Sequence, residues 1–459
     1  LDFLNFSFSI AFVPRKYKNL YLSRNSTQKM IFLLKYERKN CAGRAYMQVV
    51  GIIAEYNPFH HGHEFQIAAV RRQYPGAHVI AVMSGSFTQR GGPCILDKWT
   101  RARHAVTGGV DLVLELPFVF VCRSAQDFAR GGISLLSHLG IVRHLAFGME
   151  AETLEPLARL AAQIDSDAVQ ERLCKHIGDG LSYAGALTRA LIAETNTSED
   201  TMRAPNNILA IEYLRALRVT APNIAPLAIR RTAAQHGDVR LHTGITSASS
   251  IRRALGKSPR WQQLAQTVLP IVLDDLKEGH EQGLPQEDRL LELLRYQLLV
   301  MDAPALMKIY GISEGIEHRL IRSLETTADY RSFLAAAATK RCPQSRIARL
   351  IVHLLLHFRK TQAREFDAGG ATYIRPLAFN LRGRELLRAI KRASTLPIIT
   401  RTAAFLTSME RAGRTATHSP LQRMLAFDTR ATELRSLMLP QGYTQNPRTD
   451  FITSPTFLR

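Results

Sequence analysis

Little in this sequence could crosslink it, cage a metal ion in cysteines or carry it across a bilayer. Its five cysteines, Cys41, Cys94, Cys122, Cys174 and Cys342, are scattered over 459 residues with no CxxC pair and no Cys/His spacing of the zinc type. That excludes a disulfide scaffold and a zinc finger, and the thiols read as reduced in a cytoplasmic protein. No apolar run approaches the roughly 18 residues that span a bilayer, which argues against a helical membrane protein. Internal repeats and low-complexity tracts are missing as well. Acidic residues are in short supply, 39 against 60 Lys and Arg, for a formal net charge of +21 and a pI near 10.1. Such an imbalance favours a polyanionic partner, nucleic acid first, and no membrane partner is expected.

What is present is an ordinary globular complement, 46% apolar, with length for about two or three domains. The first 46 residues mix aromatic and basic side chains without a sustained period. They do not form a signal peptide, because their basic residues follow the apolar part. Met47 stands directly before the first clear strand, so the expectation is that it starts the native protein and that residues 1–46 are an extension outside the native fold. Intact-mass analysis of the native protein tests this; a mature chain that includes residue 1 would overturn it.

From Met47 onward short apolar runs alternate with helical stretches. "VVGIIAEY", "AHVIAVMSG", "VDLVLELP" and "VRHLAFGME" read as strands, and "GHEFQIAAVRRQY" as a helix. "DKWTRARHAVTGG" reads as another helix, with Asp97 as N-cap and Gly108-Gly109 as its stop. Alternation of this kind predicts an α/β fold: a Rossmann-like domain with a parallel sheet over 47–260. Beyond about residue 260 the period turns helical, which predicts a basic, mainly helical domain over 261–459. Ligands in such sheets bind at the carboxyl ends of the strands.

At the end of the first strand stands "AEYNPFHHGHEF". His60 and His63 are spaced as HxGH at a strand-to-helix turn, where unpaired backbone N–H groups and the helix dipole suit phosphate. Two imidazoles there add donors where charge builds on a departing pyrophosphate, and the chemistry needs neither a metal ligand nor a nucleophile from the protein. Gly62 permits close approach, and Asn57 and Pro58 set the turn. One histidine in this place would be an ordinary cap; two at this spacing are more specific. A zinc site at His60, His61 and His63 is disfavoured, since no cysteine or carboxylate set completes it. No metal ligands are expected in the protein.

These residues resemble the signature of the HIGH-type nucleotidyltransferases, and a longer run of ordered matches resembles the tRNA(Met) cytidine acetate ligase family within them. It is carried by "GIIAEYNPFHHGH", "VIAVMSGSFTQRGGPCILDKWTRARHA", "GVDLVLELPF", "APNNILAIEYLRAL" and "SASSIR", then by "GISEGIEHRL", "TKRCPQSRIARL", "YIRPLAFNLRGRELLRAIKR", "LPIITR" and "DTRATEL". The resemblance implies an enzyme that uses ATP to activate acetate as acetyl-adenylate, with Mg2+ assisting. It then passes the acetyl group to N4 of the wobble cytidine of elongator tRNA(Met). It also implies that an ATP-binding loop runs through Ile53, Ala54, Glu55, Tyr56, Asn57, Pro58, Phe59, His60, His61, Gly62, His63, Glu64, Phe65 and Gln66. His60 and His63 would be its catalytic residues, on the phosphates. Gly148, Asn206 and Arg231 would complete the nucleotide site. This sequence departs from the family pattern after Arg231, where Thr232 to Asp238 replace a Gly-Ala-Gly-Tyr-His-Asp run, and at Met149, where serine is usual.

"TSASSIRRAL" resembles the second phosphate motif of the superfamily, with Ser247, Ser249 and Ser250 near a helix start and Arg252 in its first turn. Alone it would be an ordinary capped helix. Basic clusters at Lys340, Arg341, Arg346 and Arg349, and at Arg382, Arg384, Arg388, Lys391 and Arg392, suit an RNA backbone. Tyr56, Phe59 and Phe87 are candidates for stacking on a base. Two other functions fit parts of this pattern: a nucleotidyltransferase acting on a small phosphorylated acceptor, and an RNA-binding protein with a regulatory nucleotide site. The first leaves the basic half unexplained.

Overall fold

Strands made of Val, Ile and Leu runs with no polar face must be covered on both sides, and helices between them provide the cover. The computed structural model describes residues 47–195, 197–231, 246–256, 258–313, 315–407, 418–440 and 449–459. The extension 1–46 and the segment 232–238 lie outside the described residues. β1 (Val49–Ala54) leads through α1 (His61–Gln73) to β2 (His78–Ser84), and α2 (Lys98–Thr107) leads to β3 (Leu112–Leu116). α3 (Ala125–His138), β4 (His144–Met149), a helical insert, α4 (Pro205–Thr220), β5 (Ala225–Arg230) and α5 (Ala248–Ala254) follow. Asp97 caps α2 by accepting from the Trp99 and Thr100 N–H groups at 2.9 and 3.0 Å.

The sheet order places β4 and β5 on one side of β1, and β2 and β3 on the other. β1 is parallel to both neighbours, Val49 opposite His78 and Val50 opposite His144. The chain therefore winds outward from β1 in one direction, then returns to wind in the other. At such a reversal the connections diverge and leave a crevice at the carboxyl edge.

Beyond residue 260 the chain is mainly helical, including α6 (Gln344–Leu355), α7 (Leu381–Ala393) and α8 (Pro420–Leu437), yet it also rejoins the sheet. β6 (Pro376–Phe379) pairs antiparallel with β3, Phe379 opposite Leu112, and β7 (Thr456–Phe457) pairs with β6. Residues 48–459 form one compact unit. A wholly buried charge cluster ties these parts together. Lys98 donates to Glu115 at 2.7 Å and to Asp450 at 2.6 Å, and Arg375 pairs with Glu115 at 3.0 Å and Asp450 at 2.5 Å. Two cations and two carboxylates satisfy one another there, which is what makes their burial tolerable.

The two basic helices sit at opposite edges of the sheet. α7 crosses the amino edge: Arg382 donates to the Gly76 and Ala77 carbonyls, just before β2, and a Cβ at Gly383 would lie 2.0 Å from the Asp111 carbonyl. α6 lies instead against the loop that follows β2 at the carboxyl edge. A Cβ at Gly91, where φ is +90°, would meet the Arg349 nitrogen at 2.6 Å. Only glycine fits there, on both counts. Among the described residues no helix is long and apolar enough to cross a membrane.

Candidate active site

A cleft of about 620 Å³ lies along the carboxyl edge, centred on the end of β1. The turn that leaves β1 is held from below by Arg101 of α2, which is fully buried. Its guanidinium donates to the carbonyls of Glu55 at 2.5 Å and Ser84 at 3.0 Å, and also to that of Gly85. These carbonyls lie at the strand ends, so a buried cation is satisfied there without a carboxylate. Tyr56 then takes φ +47°, a left-handed conformation costly for a tyrosine. Burial of its ring against Phe59 and His63, at centroid distances of 5.1 and 4.8 Å, holds it there. The Asn57–Pro58 peptide is cis. Asn57 accepts from the Ile95 N–H at 2.9 Å through its side chain and from Arg252 at 2.6 Å through its carbonyl.

His60 is the N-cap of α1. Its Nδ1 accepts from the Gly62 N–H at 3.1 Å, while the His60 N–H donates to Nδ1 of His63 at 3.2 Å. The rings stack at 3.7 Å. Because both Nδ1 atoms accept, both neutral rings carry their proton on Nε2. Burial first, then the charges of Arg231, His61 and Arg252, pushes the His60 pKa down to about 3. Burial, His60 and Arg231 hold His63 well below its usual value. The pair is thus two neutral Nε2–H donors lining the cleft.

The backbone donors expected at the start of this helix are taken. The His61 N–H goes to the Thr267 carbonyl at 3.0 Å, that of Gly62 to His60, and that of His63 to the His60 carbonyl at 2.8 Å. The capping box uses the groups that a bare helix end would offer to an anion. Imidazoles replace them.

Of the loop residues expected from the sequence, Ile53, Ala54, Glu55, Tyr56, Asn57, His60, Gly62, His63, Phe65 and Gln66 line the cleft. Pro58, Phe59, His61 and Glu64 do not: Phe59 is buried beneath Gly108, and His61 pairs with Glu64 at 2.5 Å. Gly148 at the end of β4 does line it, as does Arg231, whose side chain would meet a Cβ at Gly148 at 3.4 Å. Arg230 also borders the cleft, but pairs with Glu152 at 3.2 Å. Met149 is buried outside it. Asn206 lines the cleft and donates to Glu150; its neighbour Asn207 is structural, accepting from the Glu150 and Ala151 N–H groups at 2.9 and 3.0 Å. Ser247 caps α5, and Ser247, Ser249 and Arg252 face the cleft.

Thr88, Gln89 and Arg90, after β2, and Phe128, on α3, also line the cleft and were not singled out by sequence reasoning. Their only signal was position after a strand. Of the aromatic candidates for stacking, Phe59 and Phe87 are fully buried in the core, and only Tyr56 reaches the cleft. Among the lining residues four arginines, Arg90, Arg230, Arg231 and Arg252, face one carboxylate, Glu55. Such a field selects an anion of several charges. Among the described residues no group of three or more His, Cys, Asp or Glu converges as a metal site.

A family model described as HIGH Nucleotidyl Transferase matches residues 47–450. The tRNA(Met) cytidine acetate ligase of Syntrophomonas wolfei is 34% identical over 420 residues, covering 89% of this chain and 99% of the relative. That of Anoxybacillus flavithermus is 37% identical over 77% of this chain and 89% of its own length. The crystal structure of Thermotoga maritima TmcAL bound with alpha-thio ATP superposes with a TM-score of 0.79 at 30% identity, covering 90% of this chain and all of that one.

Proposed function

The chain belongs to the tRNA(Met) cytidine acetate ligase family of the HIGH nucleotidyl transferases, and from that premise we propose how its cleft works. ATP lies across the switch point between β1 and β4, its α- and β-phosphates against His60 and His63. Acetate attacks the α-phosphorus; the bond to the bridging oxygen breaks, and pyrophosphate leaves with the electron pair. The Nε2–H donors stabilise that charge without changing protonation state, which a donor fixed in a dry site does most effectively. Arg231 and Arg252 supply the cationic field, and Ser249 adds a hydroxyl. Asn206, its amide nitrogen held by Glu150, presents its carbonyl oxygen to the nucleotide.

In the second step the N4 amine of the wobble cytidine of elongator tRNA(Met) attacks the acetyl carbon, and AMP leaves. The lone pair of that amine is delocalised into the cytosine ring, so acetate must first be activated as a mixed anhydride. Mg2+ is proposed to arrive on the triphosphate, which binds it through oxygen and water. The cleft residues do not build a site for it.

The observation that carries this reading is the pair of neutral, Nε2-protonated imidazoles beside Arg231 at the switch point. Incubation with labelled acetate, ATP, Mg2+ and an elongator tRNA(Met) transcript, followed by nucleoside analysis, tests it. Label in N4-acetylcytidine that depends on ATP is expected. ATP binding without acetate-dependent turnover would overturn the reading.

A further inference from the structure

The cleft extends to both sides of β1, and its two halves differ. On the side of β4 and β5 stand Gly148, Asn206 and Arg231, the residues assigned to the nucleotide. On the other side, beyond β2, stand Thr88, Gln89 and Arg90, for which the nucleotide gives no use. Glu55 lies between them. Resting on the ligase reading, we propose that the half beside β2 and β3 receives the acceptor cytosine and that Glu55 takes the proton which its N4 amine loses.

When N4 attacks the acetyl carbon, a C–N bond forms and the nitrogen becomes cationic. The C–O bond to phosphate then breaks, AMP leaves with the electron pair, and one N–H proton must go to a base. The cleft offers few bases. His60 and His63 have Nδ1 occupied by backbone N–H groups and Nε2 already protonated. The arginines are permanent cations. Tyr56 and Tyr213 are phenols in full burial, which opposes their ionised form. Glu55 is the one carboxylate among the lining residues.

It is also fixed in place. Oε1 accepts from the Gln89 N–H at 2.6 Å, which leaves Oε2 for the proton, and its backbone carbonyl is held by Arg101. Gln89 is fixed in turn by donating to the Arg123 carbonyl at 2.5 Å, and Arg123 pairs with Asp367 at 2.6 Å. The same loop, closed by Thr88 N–H to the Gly92 carbonyl at 2.8 Å, abuts the backbone of Arg349 on α6. A basic helix therefore flanks the half of the cleft that an RNA base would enter, where phosphates flanking that base need cations.

The test separates two half-reactions. Acetate-dependent ATP–pyrophosphate exchange reports activation, and single-turnover transfer from preformed acetyl-AMP to tRNA reports the second step. For Glu55→Gln, which keeps an acceptor for Gln89, transfer is expected to fall about 100-fold or more, as for loss of a general base, and by at least about tenfold more than exchange. Glu55→Asp should recover part of the transfer. Equal losses in both steps, or transfer by Glu55→Gln within about threefold of wild type, would overturn the proposal. Exchange also reports that the variant is folded. No acetate-dependent exchange in the wild type would instead overturn the ligase reading on which the proposal rests.

Discussion

Lowering the pH puts the neutral histidine pair to its most direct trial. An imidazole with the usual pKa of about 6.5 would be about three-quarters protonated at pH 6; His60, held at about 3, would be about 0.1% protonated. The folded pKa lies below the unfolded one, so the unfolded chain takes up the proton first as pH falls. Stability is therefore complete above about pH 6.5 and is lost below it, towards pH 3, by about 1.4 kcal/mol per pH unit for each such group. At pH 5 His60 contributes about 2 kcal/mol of this loss. His63 and His353, lowered by the same burial, act in the same direction. The carboxyl of Asp428, raised to about 7 by burial and by Glu115, acts in the opposite direction between about pH 7 and 4, so single groups must be isolated. The assay is NMR of histidine-labelled protein from about pH 8 to 5, with denaturant unfolding of wild type and His60→Asn at both ends. The cleft rings are expected not to titrate, and the variant, which can still cap α1, is expected to lose about 2 kcal/mol less than wild type on acidification. Ring signals that titrate with a midpoint near 6.5, or identical acid losses in the two proteins, would refute the electrostatic account.

Other perturbations follow from the same geometry. Arg231→Ala should weaken ATP binding and raise the His60 pKa, whereas Arg230→Ala, which removes a cleft cation already offset by its exposed pair with Glu152, should weaken binding less and leave the His60 pKa in place; isothermal titration and histidine NMR distinguish them. Arg346→Glu on α6 should weaken tRNA binding and flatten its salt dependence by about one phosphate contact. Arg388→Glu on α7, at the far edge of the sheet, should do so less; filter binding across a salt series checks the order. Gly383→Ala, whose Cβ would lie 2.0 Å from the Asp111 carbonyl, should lower the thermal midpoint with little effect on the cleft. Lys98→Met leaves two buried carboxylates to share Arg375 and should cost about 3–5 kcal/mol in denaturant unfolding.

The first four strands were legible because each is a run of apolar residues bounded by a cap, a glycine or a turn. β5 was not, because as an edge strand it is half exposed and carries Pro226. Neither were β6 and β7, at four and two residues too short to show a period. The histidine pair stood out by spacing. Its chemistry was only half legible, since the Nδ1 bonds that fix the tautomers and use up the backbone donors depend on the ring orientations. Asn206 and Arg231 came from family resemblance, because residues brought together from β4, α4 and β5 leave no local pattern. Gln89 was hidden for the same reason: its role lies in a backbone N–H aimed at Glu55, which its side-chain identity does not encode.

Lys98 and Asp450 are separated by 352 positions, and that separation is also an interval of time. On a ribosome adding about 5–20 residues per second, the lysine precedes its second carboxylate by about 20–70 s. Through the last part of that interval Arg375 has already joined Lys98, with Glu115 the one carboxylate in place of the two that pair directly with both. The sheet that bears the adenylating cleft thus completes its buried ion pairs only once the short helix Thr449–Ile452 has been made and docked. Fragments released early would carry the histidine motif in full and still lack the ion that settles the ground beneath it.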